Sequence, residues 1–277
     1  MLKLIADSGS TKTDWALVDG NSVVARPRTE GINPFHASEE FIDEVLLHKL
    51  LPQLGDADVR EIHFYGSGCT PQMAPVMERH LSVVFPGASV VEAQGDLLAA
   101  ARATCGKNAG IACILGTGAN SCLYDGQQIT ANTPPLGYIL GDEGSGAVLG
   151  KLFLNGIFKG FLPSWMRDDY LESNGLTYPD VIRKVYREPL ANKYLASIAN
   201  FMYKYIEHEE IQQLVCGNFH QFFQRNLVQY HQKGRVGFVG GIAYQYAEQL
   251  NQVAREEGYE LSMIEKSPIQ GLIKYHQ

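Results

Sequence analysis

The sequence has no run of lysine or arginine, and its 23 basic residues are outnumbered by 30 acidic ones, giving a formal net charge of −7. Because nucleic-acid-binding surfaces carry basic clusters, we expect no nucleic-acid partner. The sequence also lacks an uninterrupted apolar stretch of about 18 residues and shows no signal-peptide pattern where it enters its first strand. We therefore expect no membrane span and predict a cytoplasmic protein.

Cysteine is scarce, and its spacing is uninformative for metal binding. The five cysteines are odd in number and never form Cys-x-x-Cys; they are Cys69, Cys105, Cys113, Cys122 and Cys216. This pattern indicates neither a disulfide framework nor a zinc site. We expect most of them to be small core residues.

The familiar nucleotide motifs are missing as well. No G-x-x-x-x-G-K-[ST] occurs, which excludes a P-loop, and no G-x-G-x-x-G follows a strand-like run, which argues against a Rossmann site. Any phosphate site in this chain must therefore be built in another way.

Two short segments rich in glycine and hydroxyl side chains are candidates for a phosphate site. They are residues 7–14 (DSGSTKTD) and 115–120 (LGTGAN). An apolar run precedes each segment, and a second apolar run, which ends in Asp-Gly, follows it. With those Asp-Gly pairs aligned, the two copies fall 106 residues apart and Thr11 lies over Thr117. This spacing predicts a duplicated phosphate-binding hairpin, with a nucleotide held between two like domains.

The physical basis is that glycine lets a backbone approach a ligand closely, so that successive N–H groups point at one anion. The Ser and Thr hydroxyls add donors, and Asp7, which leaves the strand Leu2–Ala6, is a candidate to hold hydrated Mg²⁺. Asp14 is a second, weaker candidate. The alternative is that each segment is only a polar hairpin turn, which these residues form without any ligand.

The order of elements predicts an α/β fold. With 277 residues, 45% of them hydrophobic, the chain is long enough for two domains with real cores. A short antiparallel meander is predicted over Leu2–Ala6, Ala16–Val18 and Val23–Ala25. Helix-like and strand-like patterns then alternate, with strands at Ile62–Tyr65, Ser89–Glu92, Ile111–Leu115, Ser121–Tyr124 and Val236–Val239, and residues 147–230 mainly helical.

Gly95-Asp96 lies between a predicted strand and the predicted helix Leu97–Ala103. The Asp96 carboxylate would then emerge at the carboxyl end of a strand, where α/β proteins form their sites. The alternative is that Asp96 is an ordinary helix N-cap, a position that Asp suits.

Two further glycine-rich segments are candidates for ligand contact. Residues 141–146 (GDEGSG) follow the strand-like Tyr138–Leu140 and open a helix; acidic residues there are also favoured by the helix dipole alone. Gly240-Gly241 joins a predicted strand to an amphipathic helix over Ile242–Glu257, whose N-terminus is suited to approach a nucleotide.

In order and spacing these residues resemble the sugar kinase, actin and heat-shock chaperone superfamily. Within it they are similar to the N-acetylglucosamine kinase-like branch, shared with the activator ATPases of benzoyl-CoA reductase and 2-hydroxyglutaryl-CoA dehydratase. The resemblance covers nearly the whole chain. It implies two ribonuclease H-like (actin-like ATPase) domains around a nucleotide cleft, at residues 1–107 and 108–277, with a final helix near residues 268–277 packed back on the first domain.

The resemblance also implies roles for individual residues. ATP-binding positions are Gly9, Ser10, Thr11, Lys12, Thr13, Gly116, Thr117, Gly118, Gly240 and Gly241. Sugar-binding positions are Asn33, Asp96, Asn120, Gly141 and Asp142, with Asp96 as general base and Asp7 on Mg²⁺. At one position the chain departs from the family: Leu136 stands where the vertebrate N-acetylglucosamine kinases have Trp.

The implied function is direct phosphorylation of an amino sugar, most simply N-acetylglucosamine, with ATP and Mg²⁺ as cofactors and a homodimer as one possible assembly. Two alternatives stay open at this stage. One is an activator ATPase that carries an iron–sulfur cluster, which requires suitably placed cysteines. The other is a non-catalytic or filament-forming actin-like protein.

Overall fold

The computed structural model describes residues 1–9 and 11–277. By backbone contacts the chain divides into two compact units. The first comprises Met1–Ala109, Asp125–Ile129 and Ser267–Gln277, and the second comprises Gly110–Tyr124 and Thr130–Lys266. No helix in the described part of the chain is both long and apolar enough to cross a bilayer.

The first unit is built on a six-stranded sheet. Its strands are β1 (Leu2–Ser8), β2 (Lys12–Asp19), β3 (Ser22–Ala25), β4 (Arg28–Glu30), β5 (Val59–Gly66) and β6 (Val90–Gly95). Its helices are α1 (Glu39–Glu44), α2 (Leu51–Leu54), α3 (Ala74–Val84) and α4 (Asp96–Cys105), and a π-helical stretch, Val45–Leu50, joins the first two. The strand order is β3-β2-β1-β5-β6, with β4 on β2, and β1, β5 and β6 run parallel.

The second unit contains a five-stranded sheet and most of the helices. Its strands are β7 (Gly110–Leu115), β8 (Ala119–Tyr124), β9 (Ile129–Ala131), β10 (Arg235–Val239) and β11 (Glu260–Glu265). Helices α5 (Gly137–Leu140), α6 (Gly146–Lys159), α7 (Ser164–Asn174), α8 (Tyr178–Tyr186), α9 (Ala191–Tyr203) and α10 (Glu209–Phe222) lie between β9 and β10. Then α11 (Gly241–Gln245) and α12 (Ala247–Glu256) separate β10 from β11, and α13 (Ile269–Tyr275) ends the chain in the first unit.

Apart from β4, the two sheets have the same topology. In the second the order is β11-β10-β7-β8-β9, in which β7 and β8 form an antiparallel hairpin and β10 and β11 run parallel to β7. Strand for strand, this repeats β6-β5-β1-β2-β3 of the first sheet. The predicted α/β fold with a duplicated hairpin is therefore confirmed.

Each sheet buries its apolar side chains against helices of its own unit. In the first unit, Leu4, Ile62 and Phe64 pack with Leu46 and Leu81 from the helices. On the opposite face, α13 packs against β1, β2 and α4. Parallel strands covered on both faces by helices leave their carboxyl ends open to ligands.

The predicted strand at Tyr138–Leu140 is wrong, because these residues form the single helical turn α5. The chain enters that turn through Leu136 and Gly137, which both have positive φ (63° and 73°) and so reverse its direction. An apolar run of three residues carries too little periodicity to distinguish a strand from a turn of helix.

The predicted single helix over Ile242–Glu257 is also wrong in detail, because it is divided into α11 and α12 at Tyr246. Tyr246 is fully buried, and its hydroxyl donates to the carbonyl of Ala199 at 2.6 Å. The α-helical hydrogen-bond pattern is therefore interrupted at a buried residue whose side chain is itself held by a hydrogen bond.

Candidate functional site

The β1–β2 hairpin closes through four residues, with the Gly9 N–H donating to the Lys12 carbonyl at 3.0 Å. Its flanking hydroxyls are already paired: Ser8 Oγ lies 2.7 Å from Thr13 Oγ1, and Thr13 also donates to the Glu30 carbonyl. Thr13 is fully buried, whereas Thr11 is exposed at the tip. The predicted site residue Ser10 lies outside the described residues.

The two carboxylates that flank this loop have different surroundings. Asp14 accepts from Lys12 Nζ at 2.5 Å and from Arg28 Nε at 2.6 Å. Although partial burial opposes it, these hydrogen bonds and charges lower the pKa of Asp14. Asp14 is thus already compensated by two cations, and Lys12, a predicted ATP contact, is engaged with it.

Asp7, in contrast, is a carboxylate with little compensation. Burial, with smaller contributions from the charges of Asp14 and Asp96, raises the pKa of Asp7 to about 6. Within residues 1–9 and 11–277, its side chain accepts one hydrogen bond, from Ser267 Oγ to Oδ2 at 2.7 Å. A cation beside Asp7 would relieve this electrostatic cost.

The donor set fits magnesium better than a metal held wholly by protein. In the described part of the chain, no three His, Cys, Asp or Glu side chains gather into a possible metal cluster. Mg²⁺ commonly binds through one or two carboxylates and completes its shell with water and substrate phosphates. Asp7, beside the first hairpin loop, is suited to that arrangement.

Asp96 lies at the same edge of the first sheet as Asp7. The register pairs Ser8 with Gly66 and Gly66 with Gly95, so β1, β5 and β6 end side by side. Asp96 is the first residue of α4, and the N-cap is Gly95, with no side-chain cap. The N-cap alternative for Asp96 therefore does not hold.

The surroundings of Asp96 make it a stronger base than an exposed carboxylate. Burial raises the pKa of Asp96, against hydrogen bonds from the Leu97 N–H and the Ser67 hydroxyl, which lower it. Ser67 belongs to the turn that directly follows β5. The carboxylate is therefore desolvated, and Ser67 and the Leu97 N–H are polar groups beside it that favour its charged form.

Asn33 borders the same turn. Its Oδ1 accepts the Phe35 N–H at 3.1 Å, which leaves the Nδ2 donors of the amide for a ligand. A Cβ on Gly68 (φ +75°) would lie 2.0 Å from Asn33 Oδ1, so only glycine admits this side chain. The predicted residues Asp7, Asn33 and Asp96 thus come together in the first unit.

In the second unit, the β7–β8 hairpin closes through three residues, with the Gly116 N–H donating to the Gly118 carbonyl at 2.9 Å. The carbonyls of Gly116 and Thr117 accept the Gly146 and Ala147 N–H groups at the start of α6. This loop is therefore docked on a helix N-terminus, and the Thr117 side chain is exposed.

Asp142 lies directly behind that loop. Its Oδ1 accepts from the Ala119 N–H at 3.4 Å, and a Cβ on Gly118 would lie 3.0 Å from Oδ2. Asp142 has a positive φ of 58°, an uncommon conformation for a non-glycine residue, and burial raises its pKa. Gly141 beside it has no room for a side chain, because a Cβ would lie 2.2 Å from the Pro135 carbonyl oxygen.

Asn120 follows the loop on β8. Its Oδ1 accepts from the Ser121 N–H and from Asn132 Nδ2, both at 2.9 Å. These two bonds fix the amide plane and leave its Nδ2 as the available donor. The structure thus brings Asn120, Gly141 and Asp142 to the second hairpin loop.

The Gly240-Gly241 turn meets the same loop. Gly240 (φ +124°) lies so close to β7 that a Cβ would come within 2.2 Å of the Leu115 carbonyl oxygen. A Cβ on Gly241 would meet nothing within 4 Å. One glycine is therefore required for packing, while the other faces open space beside the loop.

Three polar residues of these sites were not predicted. They are Ser267 on Asp7, Ser67 on Asp96, and the buried Asn218, whose Oδ1 accepts the Gly144 N–H at 2.9 Å. Ser67 is the only one with a local signal, since it lies in the Gly-Ser-Gly turn after β5. Ser267 and Asn218 are distant in sequence from their partners and are brought there by the fold alone.

Comparison with known proteins identifies the family. No family model and no curated protein matches the chain. Among solved structures, a protein of Porphyromonas gingivalis, provisionally named an N-acetylglucosamine kinase, is 44% identical, with a TM-score of 0.95 over 99% of this chain and 98% of that one.

More distant structures share the fold. A protein of Chromobacterium violaceum, also provisionally named an N-acetylglucosamine kinase, is 18% identical, with a TM-score of 0.75 over 100% of this chain and 99% of that one. A ROK hexokinase from Thermus thermophilus is 15% identical, with a TM-score of 0.54 over 99% and 96% of the two chains. On the strength of the 44% identity over nearly its whole length, the chain belongs to the N-acetylglucosamine kinase-like family of ATP-dependent sugar kinases.

Proposed function

We propose that this protein transfers the γ-phosphoryl group of ATP to a hydroxyl of an amino sugar, with N-acetylglucosamine as the first candidate. The family supports a sugar kinase, and the names given to the relatives from P. gingivalis and C. violaceum support the choice of sugar. In this proposal Asp96 is the general base, and Asn33 is a sugar-binding residue of the first unit.

The observation that carries the proposal is the position of Asp96. It lies at the carboxyl edge of the parallel strands, is desolvated by burial, and has Ser67 and the Leu97 N–H beside it, with no cation among the described groups that influence its pKa. A carboxylate that only capped α4 would occupy the N-cap, which is Gly95 instead. Desolvation raises its basicity, which suits proton abstraction near neutral pH.

In the proposed step, the sugar hydroxyl oxygen attacks the γ-phosphorus in line with the leaving ADP oxygen. The new bond joins the sugar oxygen to phosphorus, and the bond from the γ-phosphorus to the β–γ bridging oxygen breaks. Asp96 accepts the hydroxyl proton as the attack proceeds. Phosphoryl transfer depends mainly on positioning and charge stabilisation, so the place of this carboxylate at the strand edge is its main contribution.

The phosphates are assigned to the two hairpin loops. In the first, Thr11 is exposed at the tip, and in the second the exposed residue is Thr117. Mg²⁺, when bound, would neutralise phosphate charge, and Asp7 is the residue that would hold it, through water. Gly241, with open space where a side chain would lie, is the proposed contact for adenosine.

The sugar-binding residues proposed in the second unit are Asn120, Gly141 and Asp142. The Asn120 amide keeps its donors available, because both bonds to its side chain are made at Oδ1. Asp142 is an acceptor for sugar hydroxyls, since the hydrogen bond that its carboxylate receives from the described residues, from the Ala119 N–H, is long at 3.4 Å. Carboxylates and amides held in this way discriminate sugars by the hydroxyls and acyl groups that pair with them.

The test is a screen of ADP release against free amino sugars and their N-acetyl forms. We expect ATP consumption to rise at least about tenfold with the correct sugar, because substrate binding completes the site. A colourless protein whose ATP use depends on N-acetylglucosamine would support the proposal. Stoichiometric iron and sulfide with sugar-independent hydrolysis would overturn it in favour of an activator ATPase.

A further inference from the structure

The Ser267 hydroxyl is the hydrogen-bond donor that the structure places on the Asp7 carboxylate. Ser267 Oγ donates to Asp7 Oδ2 at 2.7 Å, and the Ile269 N–H reaches the same hydroxyl oxygen at 3.4 Å. The two residues are 260 positions apart in sequence. Ser267 is therefore carried to Asp7 by tertiary structure.

The segment that carries Ser267 is fixed in place by α13. Ile269, Leu272 and Ile273 of this helix pack in one buried cluster with Ile5 of β1. Gly271 lies so close to α4 that a Cβ would come within 2.4 Å of the Ala103 carbonyl oxygen. Close packing on both sides leaves the start of the helix little freedom to move.

Polar contacts hold the other end of the helix. Lys3 Nζ donates to the His276 carbonyl at 2.7 Å, and Tyr65 Oη lies 2.8 Å from His276 Nε2. The His63 ring stacks on His276 with centroids 3.8 Å apart. Because both ends are anchored, Ser267 is presented to Asp7 in a defined position.

We propose that Ser267 is a positioning residue for the metal function of Asp7. The inference rests on the proposed function, which assigns hydrated Mg²⁺ to Asp7. By occupying Oδ2, the Ser267 hydroxyl would hold the carboxylate plane and leave Oδ1 as the oxygen that accepts from a metal-bound water. Partners of metal-binding carboxylates act in this way, and their loss weakens metal binding by about 10–100-fold.

A purely structural role for Ser267 would instead be to anchor α13. A matched control exists, because Gln270 also tethers this helix, to the residue that follows β3: Arg26 Nη2 donates to its Oε1 at 3.3 Å. Gln270 is exposed, and the hydrogen bond that the described residues show for the Asp7 side chain comes from Ser267, not from Gln270. If Ser267 only anchors α13, Gln270→Ala and Ser267→Ala should therefore change the Mg²⁺-dependent gain in ADP affinity to the same extent.

The experiment measures ADP binding by titration calorimetry, once with Mg²⁺ and once in EDTA, for the full-length chain. We expect Ser267→Ala to reduce the Mg²⁺-dependent gain in ADP affinity about tenfold and to leave the affinity in EDTA unchanged. Gln270→Ala and Ser267→Thr should retain the gain, since the first spares the Asp7 contact and the second keeps the hydroxyl.

The outcomes separate this inference from the function on which it rests. If Asp7→Ala leaves the Mg²⁺-dependent gain intact, the metal assignment in the proposed function is wrong, and this inference fails with it. If Asp7→Ala removes the gain but Ser267→Ala does not reduce it, only the role of Ser267 is overturned. An equal loss in Gln270→Ala would show that Ser267 acts by anchoring the helix, which also overturns it.

Discussion

Replacing Gly240 by alanine should destabilise the second unit severely. The alanine Cβ would lie 2.2 Å from the Leu115 carbonyl oxygen and 3.2 Å from the Gly116 nitrogen, both backbone atoms that cannot rotate away. The backbone there also has φ +124°, which L residues rarely adopt. Relief therefore requires Gly240 or the second hairpin loop to move.

The expected cost follows from these two effects. A strained backbone conformation of this kind costs about 1–3 kcal/mol. Forcing extra volume into a packed site costs about another 1–3 kcal/mol. The sum of roughly 2–6 kcal/mol is a large fraction of the stability of an ordinary domain, about 5–15 kcal/mol.

Gly241→Ala is the matched control, one residue away. Its Cβ meets nothing within 4 Å, so the folded state should accept it, and alanine at a permissive helical position often adds about 0.4–1 kcal/mol. If the open space beside Gly241 holds adenosine, this variant should keep its stability and lose nucleotide affinity. The two alanines thus separate packing from binding.

Urea unfolding followed by pulsed hydrogen exchange resolves peptides of each unit, and calorimetry gives the ADP affinity. Gly240→Ala should lower the unfolding midpoint of the second unit and leave the first less affected. A Gly240→Ala protein as stable as the parent would refute the packing argument. A Gly241→Ala protein with unchanged ADP affinity would refute the assignment of adenosine.

Three other predictions concern the loops, the sugar and the C-terminal helix. Thr11→Val and Thr117→Val should each weaken ADP binding by about 0.5–3 kcal/mol, the range for a lost bond to phosphate, and calorimetry showing no change in either would contradict the duplicated cradle. Asn33→Asp keeps the acceptor for the local turn and removes the amide donor, so the sugar KM should rise about 3–10-fold in steady-state assays, whereas an unchanged KM would remove Asn33 from the site. Burial lowers the pKa of His276 to about 3, below the unfolded value of 6.5, so the neutral ring stabilises the fold above pH 6.5 and this contribution is lost as the pH falls toward 3. In urea titrations, the free energy of unfolding should fall between pH 7 and pH 5 by about 1 kcal/mol less in His276→Asn than in the parent, after discounting for partial exposure. An equal fall in the two proteins would contradict this.

The hairpins were predictable because their signals are local. Apolar runs on either side of a Gly, Ser and Thr turn predict β1 with β2 and β7 with β8, and all four strands exist. The repeat of 106 residues is less regular than the ungapped alignment suggests. Four residues separate Ser8 from Thr13, but three separate Leu115 from Ala119. In an alignment with an offset of 106 residues, β2 therefore falls on β8, whereas β1 is shifted by one residue relative to β7.

What the sequence could not predict depends on long-range packing. Strand β11 (Glu260–Glu265) and the short strands β4 and β9 have weak local patterns and exist because neighbouring strands pair with them. The contact of Ser267 with Asp7 follows from the docking of α13, for which no local residue pattern exists.

The position of Asp96 illustrates both cases. Its placement at a strand end was readable from the order of the neighbouring elements, since Gly95-Asp96 separates β6 from α4. Its desolvation and the influence of Ser67 on its pKa could not be predicted in this way, because both require β5 and β6 to end side by side. The sequence therefore suggested the residue, and the fold supplies the reason for its basicity.

Asp96 is proposed as the base for sugar phosphorylation, and a single-turnover measurement of sugar phosphate formation with Asp96→Asn tests this role. Asparagine has nearly the same shape but does not accept the proton, so the rate should fall about 10²–10⁴-fold while ADP affinity is retained. Product formation by Asp96→Asn at close to the parent rate would contradict the account and leave Asp96 as a structural residue of the first turn of α4.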